Sequence, residues 1–431
     1  MIIHMKKILS LLILLGALSM LTTIDLHAQA YWINKDTIYE PVFTTVSFYP
    51  TTDRLGYPII RLRSGERLSL EFDDMTGGFK ELLYTVTHCD ANWMPSRLEK
   101  VEYIDGFEEE RLRDFEYSIA TFDEYTHYRL KWPNENMDVR VSGNYLLHVY
   151  MDNDEQTPIL TRRFVVTENT FKVLATLKRT TDVRKLNTHQ EFDVLVNQKD
   201  TRVVNALNEV NITILQNGRW DNAIYNLAPQ SVRGEDMYFD YLDRIVFPGG
   251  KQFRYLDLRS VMFKTERVQE IQTFEDGIDI IVREDVNRRN QKYLNYPDAN
   301  GRFVVGNQDR MQLDPETTSQ YVLAHFTLDQ RYLPDRDIYL MGLLSDWRIQ
   351  PRFKMEYNPK TEKYEGAVML KQGYYDYKYV TTEDGYTFDH SYIEGNWGET
   401  ENDYIVIVYW RPFGERFDRV AVVKTFNSLD W

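Results

Sequence analysis

Apolar and polar positions alternate along almost the whole chain with a period of two. The runs PIIRLRS, LSLEFDD, LLYTVTHC, NYLLHVYMD, RRFVVTE, EVNITILQN, KQFRYLDLRS, GIDIIVRED, YVLAHFTLD and YIVIVYW are short and rich in β-branched and aromatic residues. Such side chains fit a pleated, half-buried surface, and alternation sends successive residues to opposite faces of a strand. Turn-forming clusters separate the runs, among them Asp152-Asn153-Asp154 and Pro297-Asp298-Ala299-Asn300-Gly301. The nearest approach to an amphipathic helix is 97–112, where Gly106 interrupts the pattern. Short strands at regular spacing predict an all-β chain of consecutive immunoglobulin-like β-sandwich domains.

Two polar stretches mark the expected domain limits. RRFVVTE reads as a closing strand before Glu168-Asn169-Thr170, and MQLDPETTSQ precedes the run that begins at Tyr321. The expected organisation is a leader at 1–30, an N-terminal sandwich at 31–168, a middle β domain at 169–318 and a C-terminal sandwich at 319–431. Residues 218–320 carry the longest polar loops and the least regular pattern.

The leader changes the picture of where the protein works. Lys6 and Lys7 precede an apolar run from Ile8 to Leu21, and Ala28-Gln29-Ala30 forms a small-x-small cleavage site. This is the pattern of a secretory signal peptide. The apolar run is shorter than the ~20 residues that span a bilayer, and no cysteine near the cleavage point invites lipidation. A periplasmic protein without its own membrane anchor is expected. Removing the leader leaves 49 basic against 65 acidic residues, a net charge of −16. That balance repels nucleic acid and anionic lipid. With Cys89 the single cysteine, an exported chain has no internal disulfide, so its stability must come from packing.

Candidate chemistry is sparse. Cys89 follows His88 in YTVTHCDANWMPS, but neighbours on a strand face opposite ways, so the two cannot form a dyad with each other. His127, His148, His189, His325 and His390 lie in separate contexts without a catalytic motif around them. There is no paired-cysteine or His-Glu-x-x-His metal motif. Asp152-Asn153-Asp154-Glu155 lacks the glycine and distal glutamate of a calcium loop and reads as a hairpin tip. Asp73-Asp74, ahead of Gly77-Gly78, reads as a solvated turn. The nucleophile elbow and the phosphate-binding glycine loops are missing. The expectation is a non-enzymatic protein with no catalytic residue, cofactor or metal, and with Cys89 as a buried structural thiol.

Several pieces, in order, resemble the first domain of the type IX secretion system plug protein family of Bacteroidetes. They are YPIIRLRSGERLSLEFDDM at 57–75, YTVTHCDANWMPSRL at 84–98, EYIDGF at 102–107, and the run from YSIATFDEYTHYRLKWPNENM to SGNYLLHVY and LTRRFVV. ILQNGRWDNA at 214–223, LKQGYYDYKYV and TENDYIVIVYW extend the resemblance over nearly the whole mature chain. It implies an immunoglobulin-like first domain, with Cys89 and Trp93 in its core. It also implies a role by physical blockage: a periplasmic protein, held at the outer membrane by a protein partner, that occludes the translocon β-barrel of type IX secretion.

A second resemblance covers 321–410. DIYLMGLLSDW, GYYDYKYVTTEDGYTFD and TENDY look like the glycogen-binding modules of starch enzymes and kinases, which are also immunoglobulin-like. That family's sugar contacts fall on Trp347, Lys378, Tyr386, Thr400 and Asn402, with Tyr386 where tryptophan is usual. It implies aromatic stacking on sugar rings, with Lys378 and Asn402 bonding hydroxyls. The alternative function is therefore a periplasmic glycan-binding protein acting through its C-terminal sandwich. The reading preferred here is that these positions mark a shared sandwich ancestry.

Overall fold

In a computed structural model, which describes residues 35–151, 157–199 and 201–430, alternation becomes two-sided packing. The leader and the 152–155 tip lie outside the described residues. The main strands are β1 (Phe43–Pro50), β2 (Leu68–Asp74), β3 (Leu82–Cys89), β4 (Asp114–Tyr117), β5 (Thr126–Trp132), β6 (Gly143–Met151) and β7 (Pro158–Thr167) in the N-terminal part. The middle part holds β8 (Lys172–Lys178), β9 (His189–Asn197), β10 (Val210–Gln216), β11 (Arg219–Leu227), β12 (Asp236–Phe239), β13 (Arg254–Asp257), β14 (Val268–Thr273) and β15 (Ile278–Val282). The C-terminal part holds β16 (Tyr321–Asp329), β17 (Asp337–Met341), β18 (Lys354–Asn358), β19 (Lys363–Lys371), β20 (Gly373–Thr382), β21 (Asp403–Trp410) and β22 (Arg419–Asn427). The chain is nearly all β, in several sheets arranged as sandwiches.

The N-terminal sandwich packs β1–β2–β5–β4 against a sheet that contains β7–β6–β3. Leu70, Phe72, Tyr84, Val86, Tyr145 and Leu147 meet in its core. The candidate helix at 97–112 reduces to one turn, Lys100–Tyr103. Gly106 then takes φ +107°, and a Cβ there would lie 2.2 Å from the Asn136 carbonyl oxygen. Glycine is required at that point because a short strand, Met137–Val139, closes over it.

Beyond residue 168 the sheets ignore sequence order. β8 and β9 form one face of the middle sandwich, and β11–β10–β21–β22 forms the other. β10 pairs with β21 over seven positions, from Val210↔Trp410 to Gln216↔Tyr404. Phe192, Val194, Ile212, Ile214, Val406 and Val408 fill the space between. Conversely, β13, β14 and β15 join the sheet of the C-terminal sandwich, where Leu256, Ile280, Val322 and Tyr377 share one core. The expected cut between 318 and 319 therefore does not follow the sheets. Both neighbouring sandwiches borrow strands across it.

A third apolar layer lies between the N-terminal and middle sandwiches. The outer face of β3–β6–β7 presents Cys89, Leu146 and Val165, and the outer face of β21 presents Ile405, Ile407 and Tyr409. β21 is thus buried on both faces, which is why YIVIVYW reads as a continuous apolar run rather than an alternating one.

A chain ending at residue 318 lacks β21 and β22 and exposes the middle core. It should fail to give a cooperative unfolding transition by circular dichroism, whereas three independent consecutive domains would leave 31–318 folded.

Candidate functional site

The strand pattern of β2 sends Leu68, Leu70 and Phe72 into the N-terminal core and turns Ser69, Glu71 and Asp73 outward. Those outward groups are nevertheless buried, because the start of β16, the end of β19 and the helical turn Pro315–Thr318 cover them. Tyr321 and Lys371, opposite each other in the β16–β19 ladder, both reach Asp73. Lys371 Nζ lies 2.5 Å from Asp73 Oδ2 and donates to the Glu316 carbonyl at 2.6 Å. The Tyr321 hydroxyl donates to the same Asp73 oxygen at 2.6 Å. His127, from β5, holds the other Asp73 oxygen through Nδ1 at 2.8 Å.

Around this pair the charges alternate. Arg54 bridges Glu316 at 2.9 Å and Glu71 at 3.4 Å, and Arg129 bridges Glu71 at 3.4 Å and Asp314 at 3.0 Å. Lys371 also lies 4.3 Å above the Tyr125 ring, whose hydroxyl donates to the Glu316 and Ser319 carbonyls. Burial pushes Asp73 toward the neutral form, but Lys371 and His127 pull it below the ordinary aspartate value. Burial leaves Glu316 above its ordinary value. The reading of Asp73-Asp74 as a solvated turn is corrected: the turn is at Gly77-Gly78, Asp73 anchors this seam, and Asp74 pairs with Lys80. Glu71, His127 and Glu316 bring ligand atoms within 4.8 Å of one another. A cation there would compete with Arg54, Arg129 and Lys371 for the same carboxylates, so the arrangement is an ionic seam. Its members lie up to 317 positions apart in the chain, and no local motif announces them.

Cys89 is fully buried in the layer against β21, and burial pushes its thiol up to about 12. His88 faces the other way. Its ring packs on Tyr103, Tyr145 and Phe417, its Nε2 meets the Ser142 carbonyl, and burial holds it down at about 4. A thiol held neutral beside a histidine on the opposite face is no nucleophile. Trp93 belongs to the same layer, edge-on to Trp220 at 4.8 Å.

Four of the five candidate sugar contacts do come together, but inside the protein. Lys378 Nζ sits 3.8 Å from the centre of the Phe253 ring, and the Trp347 ring meets Phe253 edge-on at 5.8 Å. Phe253 is buried and fills the space between them. Arg219 covers Trp347 at 4.9 Å. Thr400 donates to the Gly250 carbonyl, and the Asn402 amide donates to the Gly249 and Thr400 carbonyls while its oxygen accepts from Asn217. Segment 249–253 thus occupies these groups. Tyr386 is separate, 86 % exposed on the turn after β20. Next to it opens a groove of about 950 Å³ lined by Tyr332, Tyr357 and Tyr364, whose carboxylates Asp337, Glu356 and Glu383 already pair with Lys354 and Arg336.

Residues 43–168 match the family model described as type 9 secretion system plug protein 1st domain. A crystal structure of a hypothetical protein from Parabacteroides merdae superposes with a TM-score of 0.86. It is 31% identical, and the alignment covers 91% of this chain and 99% of that one. The chain belongs to the type 9 secretion system plug family. Membership ties it to type IX secretion and to association with components of that apparatus. A collagen adhesin from S. aureus aligns over 89% of this chain at 7% identity with a TM-score of 0.12, which carries no likeness of fold. No curated protein matches. The matched plug segment is the N-terminal sandwich whose outward charges form the seam.

Three predictions follow from this geometry. Lys371→Met strands Asp73 in a buried site and should cost about 3–5 kcal/mol, while Lys371→Met with Asp73→Asn should recover part of that loss in urea unfolding. Because the folded Asp73 titrates below its unfolded value, its contribution is full above roughly pH 4 and is lost as pH falls through the folded value. Asp73→Asn should therefore flatten the acid limb of the stability profile; an unchanged limb would contradict the seam. Cys89 should react slowly with a polar thiol reagent in the native state and quickly after unfolding, and Cys89→Ala should cost about 0.5–3 kcal/mol.

Proposed function

We propose that the protein is a non-enzymatic periplasmic plug that seats on the outer-membrane translocon barrel of type IX secretion and occludes it. The observation that carries this reading is the family match over 43–168. Three features of the chain support it. The sequence opens with a secretory leader pattern. The sandwiches share strands and bury ion pairs between them, so pressure on one is borne by all. The one cysteine is buried and neutral, and the candidate sugar contacts are taken up by the protein's own segment 249–253.

A barrel wide enough for folded cargo leaks small solutes unless something fills or caps it. A plug held by protein surface alone would need a stable seal, which buries about 1,600 Å². Deleting the gene should raise outer-membrane permeability to large antibiotics while secretion largely continues. Unchanged permeability together with no co-purification of the barrel from detergent extracts would overturn the reading.

A further inference from the structure

One face of the molecule carries large apolar side chains that the fold leaves uncovered. Ile119 and Phe122 follow the edge strand β4, Phe274 tips the β14–β15 hairpin, and Met262, Phe263 and Met311 crown two loops. All six are exposed, from 44 % for Phe122 to 81 % for Met311.

These segments are distant in sequence but tied together. Arg310 donates to the Ile119 and Ala120 carbonyls at 3.0 and 3.2 Å, which places Met311 beside the loop after β4. The neighbouring Asp309 accepts from Ser260 Oγ at 2.5 Å and from the Val261 amide at 2.8 Å, which fixes the loop bearing Met262 and Phe263. Ser260 Oγ in turn accepts from both their amides. Gln320 holds the loop after β4 from behind, accepting from Phe122 N and donating to the Ala120 carbonyl. On the other side burial raises Asp123, and the charge of Asp276 adds to that.

The apolar tips stand on backbone whose donors and acceptors are already used, so little ordering remains to be lost on contact. Soluble monomers rarely expose contiguous apolar patches beyond a few hundred Å² unless something docks there. The near rim is mostly acidic: Asp123 and Glu124 follow Phe122, Glu275 and Asp276 follow Phe274, and no ion pair holds these four among the described residues. Arg310 spends its guanidinium on carbonyls, and Lys264 is the basic residue next to Phe263. Acids left facing each other across an apolar surface are stabilised when a partner brings cations to them.

We infer that this face, centred on Phe122, Phe263 and Met311, is the docking surface, and that it takes a protein surface with an apolar centre ringed by lysine and arginine. Resting on the plug reading, that partner is the periplasmic rim of the translocon barrel. The aromatic groove at Tyr332 is the competing face, but three of its carboxylates, Asp337, Glu356 and Glu383, already pair with Lys354 and Arg336.

Site-specific photo-crosslinking of the full chain in its own cells tests this. The crosslinking residue replaces Phe122 or Phe263 on the patch, and Tyr386 or Phe413 elsewhere; all four are exposed, so folding is checked by an unchanged unfolding midpoint. The expected result is barrel adducts from the two patch positions and none from the controls. Asp123→Lys with Asp276→Lys, added to the Phe122 probe, should cut the adduct at least about ten-fold. Barrel adducts from Tyr386 or Phe413 with a silent patch would overturn this surface and leave the plug reading standing. A charge-reversed variant with full yield would overturn the basic rim. No barrel adduct from any position, in cells where the barrel is present, would overturn the partner and the plug reading together.

Discussion

A lysine that leaves water entirely must be answered by a charge, and in this fold the answer comes from another sandwich. Lys371, at the end of β19, is fully buried and its ammonium rests on Asp73 of β2. Neither strand can satisfy its charge alone. An unpaired buried ion costs several kcal/mol, so the N-terminal sandwich and the C-terminal sheet are held to one relative placement rather than merely touching. Tyr321, His127, Arg54 and Arg129 extend that constraint into a seam in which each charge has a neighbour of opposite sign. A second buried pair, Arg162 with Asp346 at 3.1 Å, locks the same two parts from another side.

The exchange of strands between the middle and C-terminal sandwiches works to the same end by hydrogen bonds and packing. β21 cannot leave its place without opening the middle core on one face and the layer around Cys89 and Trp93 on the other. The Tyr409 hydroxyl reaches Asn144 at 3.0 Å, and Asp418 takes the Ala91 amide at 2.9 Å, so polar groups register that layer. The chain ties its parts together by shared strands, apolar layers and paired charges, the rigidity that the proposed stopper role would require. What it leaves free is surface, above all the apolar face formed by the loop after β4 and the loops bearing Phe263 and Met311.

Much of this was legible in the sequence because it depends on local alternation. The strands, the opposite facing of His88 and Cys89 and the break at Gly106 all follow from a period of two and from turn chemistry. What alternation cannot report is which sheet a strand joins. YIVIVYW satisfies any core, and its partner β10 lies nearly two hundred residues earlier. The outward face of β2 misled for the same reason. Ser69, Glu71 and Asp73 carry the pattern of a solvated face, and only the arrival of Lys371 and Glu316 makes them interior. At Trp347 and Lys378 the sequence places the right residues near one another, but Phe253, supplied from over ninety positions away, fills the space that a sugar ring would need.

The most direct test of the account is electrical. The translocon barrel, reconstituted in a planar bilayer, should conduct as a wide open pore, and the mature protein added to its periplasmic side should close that conductance in a saturable way. The Lys371→Met chain, with its seam broken, should seal less completely at the same concentration. A conductance that stays unchanged when the folded protein is in excess would contradict the central claim.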